Sequence, residues 1–340
     1  MKKTKTKKTK KRHSSFHVFI RDVAHLDPRL LILLVLILLI SLFVSQNSLD
    51  SSQKGFIFGV KTDLFEEPTI APNPMYVPNP AFYPRKIESS VQVPDITAQA
   101  AIVIDVASQV VLYEKNAQTR LLPASTTKIM TALVGMDYFN LNDVLVVPQL
   151  TTTGAKMGLI PAEQITLENL LYGLLLNSGN DAAETIAKNS PNGDSGFVEA
   201  MNAKAKELHL TNTHFQDVAG LASENHYTNA LDLARLATFA LKNEKFAKIV
   251  ATKRIMVTDI FGKNVHDLKN LNKLLGEVAG VIGMKTGFTE EAGQVLVVAA
   301  TRDAHTIVTV VLKSDDRFAD TKALLEWAFA NHEFVPALSR

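Results

Sequence analysis

The stretch VIGMKTGFTEEAGQVLVVAATRDAHTIVTVVL, residues 281–312, holds two β-rich runs, Gln294 to Ala300 and Thr306 to Leu312, parted by the short polar turn Arg302-Asp-Ala-His305. Runs of this length, rich in Val, Ile and Thr and punctuated by a turn, read as an antiparallel meander. The triplet Lys285-Thr-Gly287 precedes them and is expected on a strand of the same meander. A strand glycine lets another backbone approach closely, and a lysine beside a threonine hydroxyl suits an anion. Alone, such a lysine is as readily explained as an edge charge that discourages aggregation.

Toward the N-terminus, Pro123-Ala-Ser125 opens a run from Thr126 to Val134 in which Ile129, Met130, Leu133 and Val134 recur at helical spacing. Ser125 is therefore expected in the first turn of a largely apolar helix, with Lys128 on the same face. Residues three apart on a helix lie roughly 5–6 Å apart at Cβ, so a neutral lysine amine there reaches the hydroxyl and takes its proton. Burial disfavours the ammonium, and a second nearby cation, for which Lys285 is the candidate, acts in the same direction. The Ser125 N–H at the helix start and the Phe288 N–H are expected to form an oxyanion hole.

Between these motifs lies Ser178-Gly-Asn180. It follows the apolar helical segment Ile165 to Leu176 and precedes a helix restarting over Asp181 to Ala187, so it reads as an interhelical turn. A serine hydroxyl in such a turn can relay a proton between the lysine and a leaving group, and an asparagine amide can hold a substrate carbonyl. Each motif is weak by itself. Ser51-Ser-Gln-Lys54 repeats the first pattern, while Ser45-Gln-Asn47, Ser190-Pro-Asn192 and Ser223-Glu-Asn225 repeat the second. Lys-Thr-Gly occurs once, and context separates the candidates from the repeats.

Ala101 to Val106 and Val110 to Tyr113 flank Ser108-Gln109 as a hairpin. A long helical region follows, then three more strands from about residue 284 and a closing helix around Thr321 to Ala330. Early and late strands must share one sheet. The expected fold is α/β (α+β), a five-stranded antiparallel sheet flanked by helices, with a helical lobe carrying Ser178 and the site between the lobes.

Residues 1–29 carry ten Lys or Arg against Asp22 and Asp27, which leaves 26 basic and 32 acidic residues beyond them. The apolar run that follows, interrupted only by Ser41 through residue 44, together with this charge asymmetry, reads as an uncleaved signal anchor. The expected layout is a basic cytoplasmic segment over 1–29, a transmembrane helix over 30–45, a Pro-rich extracytoplasmic spacer over 46–94 and a catalytic domain over 95–340. A lysine-rich head placed directly before an apolar segment is explained by topology and anionic lipid rather than by nucleic acid. The chain has no Cys, and its nine His show no ligand spacing, so neither a metal nor a cofactor is expected.

Taken in order, the three motifs and their surroundings resemble the serine D-alanyl-D-alanine carboxypeptidases, low-molecular-mass penicillin-binding proteins that share a fold with the serine β-lactamases. The resemblance rests on Pro123-Ala-Ser-Thr-Thr-Lys-Ile-Met-Thr-Ala132, Leu170 to Ala183, and Gly283-Met-Lys-Thr-Gly-Phe-Thr289 with Ala292-Gly293. Thr211 to Asp217, Gly220-Leu221 and His226 to Ala234 add to it, and it spans about residues 95 to 335. It implies a β-lactamase/transpeptidase-like fold, with Ser125 as acylated nucleophile, Lys128 as its base, and Ser178 and Asn180 as the second catalytic element. It makes Lys285 and Thr286 a clamp on a terminal carboxylate, with Gly287 and Phe288 beside it and Arg317, after the last strand, as a further carboxylate-binding residue. The implied substrate is the peptidoglycan stem peptide ending in D-Ala-D-Ala, with β-lactams as acylating inhibitors. Thr126, Gln294 and Val295 depart from the family's commoner residues. No C-terminal β domain follows, so contact with the lipid bilayer is expected through residues 30–45. A serine β-lactamase would need a further base for deacylation, and Glu199, Glu207 and Glu224 fall in no suitable loop. A non-catalytic cell-wall or β-lactam sensor of the same fold has no need of the whole catalytic set.

Overall fold

The computed structural model describes residues 81–88, 91–222 and 224–337. The basic head, the apolar run 30–45 and most of the spacer lie outside the described residues. Among the described residues no helix is long and apolar enough to cross a membrane.

The chain order is β1 (Phe82–Lys86), β2 (Ala100–Asp105), β3 (Val111–Lys115), then a 3₁₀ turn (Ala124–Thr127) running into α1 (Lys128–Tyr138). Next come β4 (Val144–Val146), β5 (Gln164–Thr166), α2 (Leu167–Leu175), α3 (Asn180–Asn189), α4 (Gly193–Glu207), α5 (Ala230–Leu241) and α6 (Glu244–Val250). The chain then forms β6 (Arg254–Thr258), β7 (Val265–Lys269), β8 (Val281–Thr289), β9 (Gly293–Arg302), β10 (His305–Ser314), α7 (Arg317–Asn331) and β11 (His332–Pro336).

The five-stranded sheet has the order β3-β2-β10-β9-β8 and is antiparallel throughout, so early and late strands join as the sequence requires. Its strands read as nearly unbroken apolar runs because both faces are covered. Ile102, Ile104, Val297, Ala299, Val308 and Val310 pack into one core with α1, α2 and α5. The alternate residues Ala101, Val103, Leu296, Val298, Ile307 and Val311 pack into a second core with Leu324, Leu325, Trp327 and Ala328 of α7. Period-two alternation thus feeds two cores from one sheet.

Several elements differ from the sequence reading. Ser125 stands on the 3₁₀ turn that precedes α1, not in the first turn of the α-helix. The β6–β7 hairpin lies inside the region read as helical. Its inward residues are Val257, His266 and Leu268, and the buried histidine breaks the apolar alternation that marks a strand. β4 and β5 have three residues each, too few to show a period. β1, with Pro84, Arg85 and Lys86, has an edge-strand composition and pairs with β11, where Arg85 Nε donates to Glu333 Oε1 at 2.6 Å. The last part of the stretch read as spacer is therefore a strand of the catalytic unit.

Candidate active site

Lys128 is completely buried at the start of α1, and its Nζ donates to Ser125 Oγ at 3.1 Å and to the Ala219 carbonyl at 2.7 Å. Burial pushes the Lys128 ammonium down to about 7, against a weaker upward pull from Asp217 and Asp181. The three-residue spacing sets a half-buried hydroxyl beside an amine whose charged form burial disfavours.

The Ser125 turn is fixed from behind. The Asp217 carboxylate accepts four backbone N–H groups, from Ala219 at 2.6 Å, Gly220 at 2.5 Å, Leu221 at 3.0 Å and Ala222 at 2.5 Å. Its own burial opposes ionisation, yet those bonds and nearby His226 hold its carboxyl below the usual range. The loop so pinned presents the Ala219 carbonyl to Lys128. Gln216 N–H donates to His226 Nδ1 at 3.2 Å, so the ring proton is on Nε2 and points at Thr127 Oγ1, 2.9 Å away. Thr127 Oγ1 in turn donates to the Ala124 carbonyl at 2.9 Å. Gly220, at φ +84°, lies so close to that turn that a Cβ on it would stand 1.9 Å from the Ala124 carbonyl oxygen. The sequence offered Asp217, Gly220 and His226 only as parts of a resemblance. Asp217 works on N–H groups two to five residues further on, whereas His226 bonds to Gln216 and Thr127, 10 and 99 positions away.

β8 closes the other side. A Cβ on Gly287 would lie 3.1 Å from Ser125 N, Ala124 Cβ and Pro123 O, so the bare glycine lets the strand lie against the serine backbone. Lys285 is 1% exposed, which removes the edge-charge explanation, and its Nζ donates to the Thr286 carbonyl at 2.9 Å. Burial, Lys128 and Arg317 all push its ammonium well down. Arg317 opens α7 and donates from Nη1 to the Gly287 carbonyl at 2.6 Å. Among the described residues neither Lys285 nor Arg317 has an ion pair within contact distance, although Asp316 favours the arginine's charged form against its burial. Thr286 is buried, whereas the Phe288 ring faces solvent.

Ser178 is buried in the turn between α2 and α3, at φ +60°. The start of α3 is tied to the loop over residues 151–159. Asn180 N donates to the Ala155 carbonyl at 2.7 Å, and Asn180 Nδ2 to the Thr153 carbonyl at 2.5 Å. The amide expected to hold a substrate carbonyl is thus engaged by this loop, while its Oδ1 is buried without a partner. Asp181 accepts from Met157, Gly158 and Leu159 N–H groups at 2.9, 2.9 and 3.1 Å. Glu184 accepts from Thr151, Thr152 and Lys188. Burial works against it, but these donors hold its carboxyl at about 2. Thr151, Asn180, Glu184, Asp217, Ala219 and Leu221 line a cavity of about 380 Å3. Behind the loop, buried His266 faces Glu163 Oε1 at 2.7 Å and the Met157 carbonyl at 3.3 Å, a pairing across 103 residues that no local pattern announces. One repeat of the second motif serves elsewhere: Ser190 Oγ donates to the Ala187 carbonyl at 2.7 Å, finishing α3.

A family description for D-alanyl-D-alanine carboxypeptidases matches residues 87–316. The D-alanyl-D-alanine carboxypeptidase DacF of Bacillus subtilis is 34% identical over 253 residues, covering 72% of this chain and 65% of its own length. The D-alanyl-D-alanine carboxypeptidase of Streptomyces sp. strain K15 is 34% identical over 263 residues, 71% of this chain and 90% of that protein. The crystal structure of the Streptomyces K15 DD-transpeptidase superposes with a TM-score of 0.67 at 33% identity, over 71% of this chain and all of that one. The chain belongs to the D-alanyl-D-alanine carboxypeptidase family.

Proposed function

We propose that this chain removes the terminal D-Ala from peptidoglycan stem peptides through an acyl-enzyme on Ser125, and that β-lactams acylate the same oxygen. The observation that carries the reading is the buried Lys128 amine, 3.1 Å from Ser125 Oγ and shifted down to about 7. In the proposed reaction Lys128 takes the hydroxyl proton as Oγ bonds to the penultimate D-Ala carbonyl carbon. The resulting oxyanion is held by the N–H groups of Ser125 and Phe288. The C–N bond then breaks, and the departing amine takes a proton from Lys128 through Ser178, with Asn180 as the other member of that element. Water attacks the ester, Lys128 removes its proton, and Ser125 is restored.

Lys285, the Thr286 hydroxyl and Arg317 are assigned to the terminal carboxylate. That carboxylate brings the anion Lys285 lacks and so favours its ammonium form. Glu184 lines the cavity with Asn180 but is held ionised by its donors. A carboxylate so held is a poor base for deacylation, which speaks against a β-lactamase. We also assign residues 30–45 to a membrane anchor, on the charge asymmetry before Leu30. The test is labelling with a fluorescent penicillin alongside D-Ala release from a pentapeptide. Wild type should do both and Ser125→Ala neither; labelling without release would favour a sensor, and labelling of Ser125→Ala would remove Ser125 from the role.

A further inference from the structure

The three most exposed large apolar side chains among the described residues all stand on the β6–β7 hairpin: Met256 and Phe261, each 70% exposed, and Val265, 60% exposed. The strand register sets them there. Val257 pairs with His266 and Ile255 with Leu268 toward the core, so the alternate residues Arg254, Met256, Val265, Asp267 and Lys269 share the outward face. At the tip, Asp259 Oδ1 accepts the Lys263 and Asn264 N–H groups at 2.7 and 3.1 Å, and Gly262 turns the chain at φ +67°. The Ile260 N–H donates to the Gln164 carbonyl of β5 at 2.9 Å, which ties the tip to the helical lobe. An ordered turn thus holds Ile260 and Phe261 out in water. Folding gains little from them there, and exposed apolar groups gathered on one element mark a binding surface.

The charge around them has one sign. Of the hairpin's two carboxylates, Asp259 is buried and spent on the turn, and Asp267 is paired with Arg254, whose Nε donates to it at 2.7 Å. Lys253, Lys263 and Lys269 are exposed, and none has an ion pair among the described residues. This excess of cations stands out in a chain with 26 basic against 32 acidic residues beyond residue 29. Apolar side chains rimmed by lysines match a surface that is anionic outside and apolar just beneath, as a bilayer with acidic headgroups is. A soluble polyanion would engage the lysines but leave Phe261 and Met256 in water.

We propose that the β6–β7 hairpin is a second membrane contact, which seats the catalytic unit on anionic lipid with Phe261 and Met256 at the headgroup–acyl boundary and the three lysines among the phosphates. This contact rests on the anchor assigned to residues 30–45. From such an anchor residues 46–80 span at most about 120 Å, so the hairpin never leaves the neighbourhood of the bilayer and a weak contact suffices. Each lysine at the surface strengthens the seat roughly fivefold, and added salt weakens it.

The chain has no Cys, so Thr258→Cys, on the outward face opposite Val265, carries a single spin label beside the tip and leaves Phe261 intact. Full-length protein is placed one copy per nanodisc in phosphatidylcholine, alone or mixed with phosphatidylglycerol, and collision of the label with an aqueous nickel chelate is measured. Collision should fall several-fold in the mixed bilayer and stay high in phosphatidylcholine. A label at Val111 of β3 should stay open in both. Phe261→Ser with Met256→Ser should restore collision in the mixed bilayer, as should Lys263→Glu with Lys269→Glu, which weakens the seat roughly 25-fold or more. Protein that does not enter the nanodiscs overturns the anchor and the seat together; protein that enters with equally high collision in both lipids overturns the seat alone. Protection that survives the charge reversal would overturn the lipid reading, and protection seen only with two copies per disc would give the hairpin to a second copy of the chain instead.

Discussion

At Lys128 the decisive quantity is the fraction of amine without its proton. With its ammonium shifted to about 7, the neutral form grows as pH rises through that value. Acylation by penicillin should therefore increase across pH 6 to 8 and level off above, as stopped-flow labelling will read. Lys128→Arg should acylate several orders of magnitude more slowly at every pH, because a guanidinium does not give up its proton. Near-normal rates in that variant would take Lys128 out of the base role. The Ser125–Lys128 contact was legible because both partners sit three residues apart. Arg317 entered only through family resemblance, as a carboxylate-binding residue, while its bond to the Gly287 carbonyl and the Glu163–His266 pair were not legible, since none of these residues carries a local mark of its partner.

Among elements, the loop from Asp217 to Ala222 sets the geometry of the serine turn, and one carboxylate holds it. Asp217→Asn keeps one acceptor oxygen and loses the charge, so all four backbone N–H groups lose charge assistance and two of them lose their acceptor, at a cost of about 1–3 kcal/mol. Because the folded carboxyl is held below its ordinary value, its contribution is fully present above that value and fades as pH falls through it. The Tm gap between wild type and Asp217→Asn should be complete above about pH 5 and close as pH falls through the depressed value of the folded carboxyl. Penicillin acylation should slow in the same variant; an unchanged rate would mean that the Ala219 carbonyl does not position Lys128. The sheet was legible because both its faces are buried and its strands are long: β9 and β10 have ten residues each. β4 and β5 were too short, and β6–β7 hid behind the inward His266. The 3₁₀ turn was not legible because Ala124-Ser-Thr-Thr127 is a single short turn running straight into α1, with no period of its own to set it apart.

For the whole molecule, the ten basic residues before Leu30 and the absence of any between Leu30 and Gln53 predict a cytoplasmic N-terminus and a wall-facing catalytic unit. Full-length protein should sediment with membranes. Protein lacking residues 1–50, exported behind a cleavable signal, should be soluble and still label with penicillin; mature, soluble protein beginning near residues 46–50 would show a signal peptide instead. In a chain held at that end, β1 acquires a mechanical role. Tension arriving along the preceding segment reaches the folded unit at Ala81, whose carbonyl accepts the Ala337 N–H at 2.8 Å, and then at Phe82 opposite Pro336, so the load falls first on the outer end of a five-residue ladder. The ladder opens rung by rung, while the catalytic turn, on a different sheet, stays unloaded. Once open, residues 82–95 can span up to about 45 Å before the buried Ile96 takes the strain. On the anchor proposed above, the β1–β11 pair would act as a releasable length of tether between membrane and wall.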